Sequence, residues 1–522
     1  MRPLRTCCIA ATFLSSVLVR PTTGHGQSRG QLTVAVPASV PDAAVDSSAT
    51  PADASGAAQA SSQDSSIVGD AGAFANDGGG LATTAAEPVA ADAGTDAVPE
   101  SVVGMHASAT PLPTTAPPGG PAAPHADTHA AHPPATVAAE FGQGVTVTAP
   151  NDAFALTIRA RVQARFTLLG PRPDAMGVYP MAAPGTEFLI RRMRLVLQGH
   201  VFNRTWQYYV QLGLANRDME PDLLMPVRDA YITWTGLRDL NVRIGQMKVP
   251  FGLQRVVSSS ALQFVDRSLA VGELNLDRDV GIQFLSQDVG GLGGRLRYHL
   301  GLFGGDGRNR LSDVFGLLYV ARVQYLPFGR FDDLAEADFD RSATPRLAIG
   351  VAAAYNHQTN RPQSTIGTPL RFARFDYLHM AADLTFRYQG FSFQAEVLYR
   401  NSTSGGVVTR TLMDPMMTVE REFSRSGWGY YVQAAMMLTR NLEVGARWGE
   451  VFAIRQSTVV GEFDSRQFDA AELGGVASWY FQRHSMKLQL DYFALLGNAP
   501  GGNYPAYAGT QHQVRMQFQL YF

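Results

Sequence analysis

The chain has 522 residues, of which 45% are hydrophobic and 17% charged, and its formal net charge is −2. These averages hide two different materials: residues 1–140 contain only two aromatic side chains, Phe13 and Phe74, and residues 25–140 carry 12 Asp and Glu against one basic residue, Arg29. Residues 141–522 hold every Tyr and Trp and carry 39 Lys and Arg against 33 Asp and Glu. This division argues against a single globular enzyme and favours an acidic tail joined to a basic, aromatic-rich body.

The first 26 residues have the pattern of a secretory signal peptide. Arg2 and Arg5 precede a 13-residue apolar stretch at 7–19, which is too short for a membrane-spanning helix of about 20 residues. We expect cleavage near Gly26. Both cysteines, Cys7 and Cys8, lie in this segment, so the mature chain is expected to have no disulfide and no cysteine metal site.

Residues 27–140 are rich in Ala, Pro, Ser, Thr, Asp and Gly, and they are predicted to form a disordered periplasmic segment. His125, His129 and His132, with Asp127, are residue types that bind metals, but the biased composition explains them better and no metal site is expected. The segment is either a spacer reaching through the periplasm or a solvated tail without a partner.

The body begins with a strict period of two. Between residues 153 and 168 every even position is apolar, whereas the odd positions are mostly polar and include Arg159, Arg161 and Arg165. Successive side chains of a strand point to opposite faces, so this pattern predicts a strand with one apolar and one polar face. The same alternation closes the chain at 513–522. It recurs, with slips, at 188–201, 206–214, 228–235, 240–248, 279–285, 294–303, 318–326, 346–356, 376–389, 391–400, 427–437, 442–450, 470–481 and 485–495.

Alternation also fits a soluble sandwich, but the connections favour a membrane barrel. They alternate between short turns, such as 203–205, 236–239, 389–390, 439–441 and 482–484, and long loops, with 327–344 as a long exception on the short-turn side. Short periplasmic turns and long outer loops are typical of outer-membrane barrels. Several aromatic residues lie near the predicted strand ends, where they fit the aromatic girdles at the two membrane interfaces. These residues are Phe154, Phe166, Phe188, Trp206, Trp234, Trp428 and Trp448.

The predicted fold class is therefore all-β: a transmembrane antiparallel β-barrel of about 16 strands over residues 141–522, preceded by a disordered N-terminal segment. No apolar run after the signal is long enough for a membrane-spanning helix. Closure is required because an open sheet would leave unpaired backbone groups in hydrocarbon. Sixteen strands enclose an aqueous channel, and the even count places both chain ends on the periplasmic side.

Arginines dominate the predicted lumen, because the body has 37 Arg and only two Lys. The residues predicted to line it are Arg159, Arg161, Arg165, Arg192, Arg194, Arg243, Lys248, Arg295 and Arg297, with further inward arginines at 322, 387, 447 and 515. Guanidinium groups fit the oxygens of phosphate and carboxylate and stay charged at cellular pH. A series of such groups offers an anion several weak sites, as conduction requires.

An alternative is that these arginines pair with inward carboxylates, which the same parity places at Asp229, Asp383, Glu396, Glu443, Glu472 and Asp491. The five arginines of the first two strands argue against it, because no inward carboxylate shares those strands. The 249–278 loop carries Arg255, Arg267 and Arg278 as candidate constriction residues. It either folds into the channel or forms an ordinary exposed loop.

Three segments resemble the phosphate-selective porin O and P family. RRMRLVLQGHVFNRTWQYYVQLGL (Arg191–Leu214) resembles its early strands, and DAYITWTGLRDLNVRIGQMKVPFGLQ (Asp229–Gln254) resembles its most recognisable block. SSSALQFVDRSLAVGELNLDRDVGIQF (Ser258–Phe284) resembles the block that follows, and the terminal Phe522 also agrees. The resemblance implies a sixteen-stranded, usually trimeric channel in the outer membrane of a Gram-negative bacterium, with arginines along the channel and inward-folded loops as its constriction.

We therefore predict a non-enzymatic anion-selective porin, passing phosphate, polyphosphate or other small anions and lying in outer-membrane lipid. The expected partners are two further copies of the chain and the barrel-assembly machinery, with Phe522 as the insertion signal. We expect no cofactor, catalytic site, metal or nucleic acid. The alternatives are a general or carboxylate-selective porin and a barrel-anchored adhesion or envelope-tethering protein. A barrel hydrolase is disfavoured, because His200, His299, His379 and His484 lie in no nucleophile motif.

Overall fold

The structure is a computed structural model that describes residues 135–171, 183–219, 225–312, 314–411, 419–454, 467, 469–497 and 510–522. The predicted signal peptide and the candidate histidines of the tail lie outside these residues. The strands are β1 (Thr136–Glu140), β2 (Gly144–Thr148), β3 (Phe154–Leu169), β4 (Gly185–Val201), β5 (Asn203–Gly213), β6 (Val227–Trp234), β7 (Asn241–Lys248), β8 (Arg278–Ser286), β9 (Leu296–Phe303), β10 (Leu318–Tyr325), β11 (Arg346–Thr359), β12 (Phe375–Tyr388), β13 (Phe391–Ser402), β14 (Val407–Thr411), β15 (Val419–Phe423), β16 (Gly427–Met437), β17 (Leu442–Ala453), β18 (Ala470–Gln482), β19 (Met486–Gly497) and β20 (Thr510–Tyr521). The helices are α1 (Leu253–Val256) and α2 (Leu269–Leu274).

Sixteen strands form a closed antiparallel barrel. From β3 to β13 and from β16 to β20 each strand pairs with the next, β13 pairs with β16, and β20 returns to pair with β3. The start of the first barrel strand, β3, and the end of the last barrel strand, β20, lie at the same end of the barrel. There Tyr521 pairs with Arg161. Each of the sixteen strands coincides with one of the sequence-predicted segments to within a few residues, so the predicted fold class is confirmed.

The outer surface of the barrel is apolar. Along β3 the odd positions are mostly buried and the even positions are partly or fully exposed, as the period of two predicts. The aromatic residues predicted for the girdles occupy outward positions, and the register pairs Phe166 with Phe188 and Trp206 with Trp234. Within the described residues, no helix is both long and apolar enough to cross a membrane.

A hairpin of β1 and β2 completes the seam of the barrel. Because β20 ends opposite Arg161, the first residues of β3 extend beyond it. β2 pairs with this overhang, with Val145 opposite Ile158, and β1 pairs with β2. The hairpin thus gives hydrogen-bond partners to a strand edge that would otherwise be open. β1 lies inside the segment predicted to be disordered, 27–140, so residues 136–140 of that segment form a strand.

The loop between β7 and β8 folds into the barrel, which decides the alternative that the sequence left open. Every residue from 249 to 279 is buried except Val256, which is partly buried. Helix α2 packs its leucines against the inward side chains Leu398, Tyr431 and Val451. We call residues 249–277 the lumen loop.

A second segment enters from the short-turn end. The connection between β10 and β11 was the long exception among the predicted turns, and Asp333, Glu336 and Asp338 in it are buried. Leu334 and Ala335 pack against a cluster in the lumen loop that includes Leu253 and Leu262. The exceptional length is thus explained, because the chain needs it to reach the lumen loop.

The long connection after β13 contains a hairpin that the sequence did not predict. β14 and β15 form a separate two-stranded sheet. The Glu422 carboxylate of β15 accepts backbone N–H bonds from Arg371, Phe372 and Ala373 of the neighbouring loop. Partial burial favours the neutral form of Glu422, but these three donors hold its pKa below the usual value.

Candidate functional site

A β-bulge turns two consecutive arginines of β4 into the barrel. Gln163 of β3 pairs with Arg192 and the next residue, Ala164, pairs with Ile190, so Arg191 is the extra residue. Arg191 and Arg192 are both buried, whereas a strict period of two places Arg191 on the lipid face. The prediction missed Arg191. The signal was present in the sequence, because an arginine on the lipid face is costly and a bulge removes that cost.

These arginines surround a carboxylate from the lumen loop. Arg165 donates to the Asp266 carboxylate, and Arg192 Nη2 lies 2.8 Å from its other oxygen. Arg191 and Arg515 approach the same carboxylate at 3.8 Å and 3.7 Å. We call this group the Asp266 cluster; its members are Asp266, Arg165, Arg191, Arg192 and Arg515.

The Asp266 cluster has an excess of positive charge. Arg515 also makes two hydrogen bonds, of 2.9 Å and 2.8 Å, to Asp491, so four guanidinium groups face two carboxylates. Burial favours the neutral form of Asp266, yet the arginines together hold its pKa well below the usual range. A net positive charge of this kind produces a positive potential around the site.

A second basic cluster lies beside the first. Arg194 Nη2 is 2.6 Å from the carboxylate of Asp218, which belongs to the loop after β5, and Arg228 Nη1 is 3.7 Å from the same oxygen. Arg308 donates to the Asp218 carbonyl oxygen at 3.2 Å. A bulge opposite Gln211 turns both Arg228 and Asp229 inward. Arg228 and Arg308 were not among the predicted lining residues.

The other predicted lining residues of β3, β7 and β9 face inward but differ in their partners. Arg159 donates to Gln198 at 2.8 Å, and Arg161 donates to Ser258 of the lumen loop at 3.4 Å. Arg243 lies over the Tyr231 ring, 4.4 Å from its centroid, and donates to Thr233 at 3.0 Å. Arg297 pairs with Asp333 of the inward β10–β11 connection at 2.9 Å.

Two further predicted lining residues lie at strand ends. Arg295 precedes β9 and is exposed at the short-turn end, because the strand begins one residue later. Lys248 is the last residue of β7, and its ammonium donates to the Val256 carbonyl oxygen at 2.5 Å. It therefore holds the first turn of the lumen loop.

The three candidate constriction arginines are buried and hold the lumen loop in shape. Arg255 pairs with Asp277 at 2.6 Å, and Arg278 makes hydrogen bonds of 3.0 Å and 2.8 Å to Asp229. Arg267 donates to the carbonyl oxygens of Gln254 and Val257. The loop folds into the lumen, which is the inward alternative of the prediction. Its arginines make these contacts with carboxylate and carbonyl oxygens of the same chain.

Inward carboxylates of the barrel wall anchor the loop backbone. Glu396 accepts N–H bonds from Leu253 at 2.9 Å and Gln254 at 3.1 Å, and Glu472 accepts one from Leu269 at 2.9 Å. A loop buried in a lumen needs acceptors for its backbone N–H groups, and these carboxylates supply them. The alternative that inward carboxylates pair with arginines therefore holds for only three of the six predicted carboxylates. The pairs are Asp229 with Arg278, Asp383 with Arg322, and Asp491 with Arg515.

Replacing Glu396 by Ala should destabilise the folded barrel by about 1–3 kcal/mol for each backbone N–H group left unsatisfied. The measurement is the free energy of unfolding in urea of the protein folded in lipid vesicles. Glu420→Ala is the control, because Glu420 lies on the β14–β15 hairpin and pairs with the exposed Arg371 of the neighbouring loop. Equal stabilities for the two variants would contradict an anchoring role for Glu396.

Among the described residues, no group of three or more His, Cys, Asp or Glu side chains is arranged to hold a metal ion. The inward arginines contact carboxylates, amides, hydroxyls and backbone carbonyl oxygens of the same chain. The arrangement places buried guanidinium groups along the inner face of the barrel.

Comparison with known proteins identifies the family of the chain. The model of the phosphate-selective porin O and P family matches residues 181–522. No curated protein matches the chain. Among solved structures the chain is similar to the outer membrane channel DcaP of Acinetobacter baumannii (12% identity, TM-score 0.46, covering 71% of this chain and 98% of that one) and to OmpF of Salmonella typhi in complex with daunomycin (16%, 0.46, 71% and 99%). It is also similar to an anion-selective porin from Comamonas acidovorans (12%, 0.43, 71% and 100%).

The family match covers most of the chain, including fifteen of the sixteen barrel strands and the lumen loop. The resemblance drawn from three sequence segments is thereby confirmed. The chain belongs to the phosphate-selective porin O and P family and forms a channel barrel in the outer membrane of a Gram-negative bacterium.

Proposed function

We propose that the protein is an anion-selective diffusion channel that passes phosphate and other small oxyanions. The observation that carries the proposal is the Asp266 cluster together with Asp491, where four guanidinium groups face two carboxylates at the level of the lumen loop. An anion entering the lumen meets a positive potential there. A cation meets a barrier at the same place, so the cluster acts as a charge filter.

Phosphate is the first candidate because the family is named for it, and because a guanidinium fork matches the spacing of its oxygens. A carboxylate-selective channel is the second candidate. The observation that favours it is that the arginines bind aspartate carboxylates of their own chain, Asp266 and Asp218. Competition between phosphate and acetate for the same chloride current separates the two candidates.

The test is ion current through the purified protein in a planar lipid bilayer under a salt gradient. We expect a reversal potential that shows anion over cation preference, and a chloride current that millimolar phosphate blocks. Arg204→Gln is a matched control, because this arginine is exposed at the short-turn end and should not affect selectivity. Cation preference, or the absence of channel current, would refute the proposal.

The anion preference should stay constant or increase as the pH falls from about 8 to about 5. Guanidinium groups keep their charge over this range. Asp266, although buried, has a pKa held well below the usual range by its arginines, so it also stays charged until far more acidic pH. Any other lumen carboxylate that gained a proton would make the lumen more positive. Reversal potentials at each pH check this expectation, and a preference that weakens in acid would contradict it.

We also propose that the protein works as a homotrimer, placed in the outer membrane by the barrel-assembly machinery with Phe522 as the insertion signal. Phe522 continues the outward apolar row of β20, and its backbone makes two hydrogen bonds to Ala160 of β3. The trimer rests on the family resemblance. The mass of the detergent-extracted protein, measured by light scattering, tests it, and a monomeric mass would refute it.

A further inference from the structure

The arginines of the first two barrel strands take their counter-ion from a loop and not from the barrel wall. Arg165 and Arg192 both bind the Asp266 carboxylate, although Asp266 lies 101 and 74 residues away along the chain. The neighbouring cluster has the same design, since Arg194 binds Asp218 of another loop. Carboxylates tethered on loops thus occupy the positions in which guanidinium forks would bind an anion.

Asp266 and Arg515 are the most exposed members of the Asp266 cluster. Their side chains are 10% and 9% exposed, whereas Arg165 and Arg192 are 0% exposed and Arg191 is 6% exposed. The Asp266 carboxylate is therefore more accessible than Arg165, Arg191 and Arg192, and it occupies N–H donors of Arg165 and Arg192. An anion that approaches these arginines competes with Asp266 for the same N–H donors.

The loop backbone around Asp266 is held without the carboxylate. Val265 N donates to Asp491 at 3.2 Å, the Asp266 carbonyl oxygen accepts from Arg447 at 3.0 Å, and Leu269 N donates to Glu472. These three bonds join the loop to β17, β18 and β19. A change of the Asp266 side-chain rotamer can thus release the arginines while the loop stays in place.

We propose that Asp266 is a tethered competitor of the permeant anion, whose carboxylate occupies the guanidinium cluster in the empty channel and is displaced by each passing anion. The inference rests on the proposed anion-channel function and assigns a specificity-determining role to one residue. The proposed effect of Asp266 is to speed the release of the bound anion. Four guanidinium groups without this carboxylate would hold an anion too long for rapid passage, and a returning carboxylate helps to expel it.

The competition has a measurable consequence. The apparent affinity of a ligand falls in proportion to the fraction of time in which its site is available. If Asp266 leaves the arginines for about one tenth of the time or less, its removal should strengthen phosphate binding by roughly tenfold or more. The maximal phosphate current should fall at the same time, because tighter binding slows exit.

The experiment compares phosphate block of the chloride current in bilayers for the unchanged protein, Asp266→Asn and Asp266→Glu. We expect block at roughly tenfold lower phosphate for Asp266→Asn and nearly unchanged block for Asp266→Glu, which keeps a tethered carboxylate. Asp340→Asn is the charge-matched control, because Asp340 is 74% exposed and pairs with exposed Arg483. If Asp266→Asn fails to fold, as judged by the heat-dependent mobility of the barrel in electrophoresis, Asp266→Ser replaces it.

The outcomes separate this inference from the channel function itself. Anion preference in the unchanged protein, with equal phosphate block in Asp266→Asn, would overturn the competitor role and leave the proposed function standing. Cation preference in the unchanged protein would overturn both. Stronger block in both Asp266→Asn and Asp340→Asn would also overturn the competitor role, because it would reflect general charge and not position.

Discussion

Replacing Arg165, Arg191 and Arg192 together by Gln should abolish the anion preference of the channel and reverse it to a cation preference. The change leaves one guanidinium group of the Asp266 cluster, Arg515, facing the two carboxylates Asp266 and Asp491, so the sign of the cluster changes. A unit charge at about 4 Å contributes roughly 4 kcal/mol at an effective dielectric constant of about 20, several times the thermal energy. Screening by salt reduces this value, but three such charges still dominate the selectivity.

The measurement is the reversal potential under a salt gradient, at low salt where the cluster is least screened. Because the triple variant leaves Asp266 buried with too few partners, a fourth change, Asp266→Asn, provides a version with a lower folding cost. That quadruple variant should show weak or no selectivity. Arg204→Gln combined with Arg238→Gln and Arg483→Gln removes three exposed arginines and should leave the reversal potential unchanged. Retained anion preference in the triple variant would show that the cluster is structural.

Deleting residues 250–276 and joining the strands with a short Gly-Ser linker should raise the single-channel conductance severalfold. The deleted segment is the buried lumen loop without its two end residues, 249 and 277, and it occupies the interior of a barrel whose strand number is that of open porins. The cut is geometrically feasible because Lys248 pairs with Arg278, so the two strand ends are neighbours and a hairpin turn closes them. Uptake of neutral sugars into vesicles should extend to larger sugars in the same variant.

The control is a deletion in another long loop of the barrel. Removing the β14–β15 hairpin, Val407–Phe423, takes away a separate two-stranded sheet while the lumen loop stays in place. Its conductance should match that of the unchanged protein. If the loop deletion folds to a heat-stable barrel and yet conducts no better, the lumen loop does not set the width of the pathway.

The strands of the barrel were predictable because their signal is local. The alternation from Phe154 to Leu168 needs no information from the rest of the chain, since neighbouring side chains of any strand point to opposite faces. The short turns and the outward aromatic residues followed from the same pattern. The β14–β15 hairpin did not, because its alternation is short and lies among residues that resemble an ordinary loop.

The errors at the site have physical causes. Arg191 was missed because a bulge shifts the inward register by one residue within β4, and a strict period cannot represent that shift. The five arginines of the first two strands were expected to lack carboxylate partners, whereas Arg165 and Arg192 bind Asp266, and Arg194 binds Asp218. Both aspartates lie on loops, where parity gives no direction.

The sequence by itself determined the number and position of the barrel strands, the apolar outer face and the arginine-rich inner face. Each follows from the alternation of apolar and polar residues, because neighbouring side chains of a strand point to opposite faces. Only the tertiary structure decided that the lumen loop lies inside the barrel, that Asp266 reaches the arginines, and that Glu396 and Glu472 hold the loop backbone. These contacts join residues that are 74 to 203 positions apart, and they depend on how a closed barrel brings distant strands around one lumen.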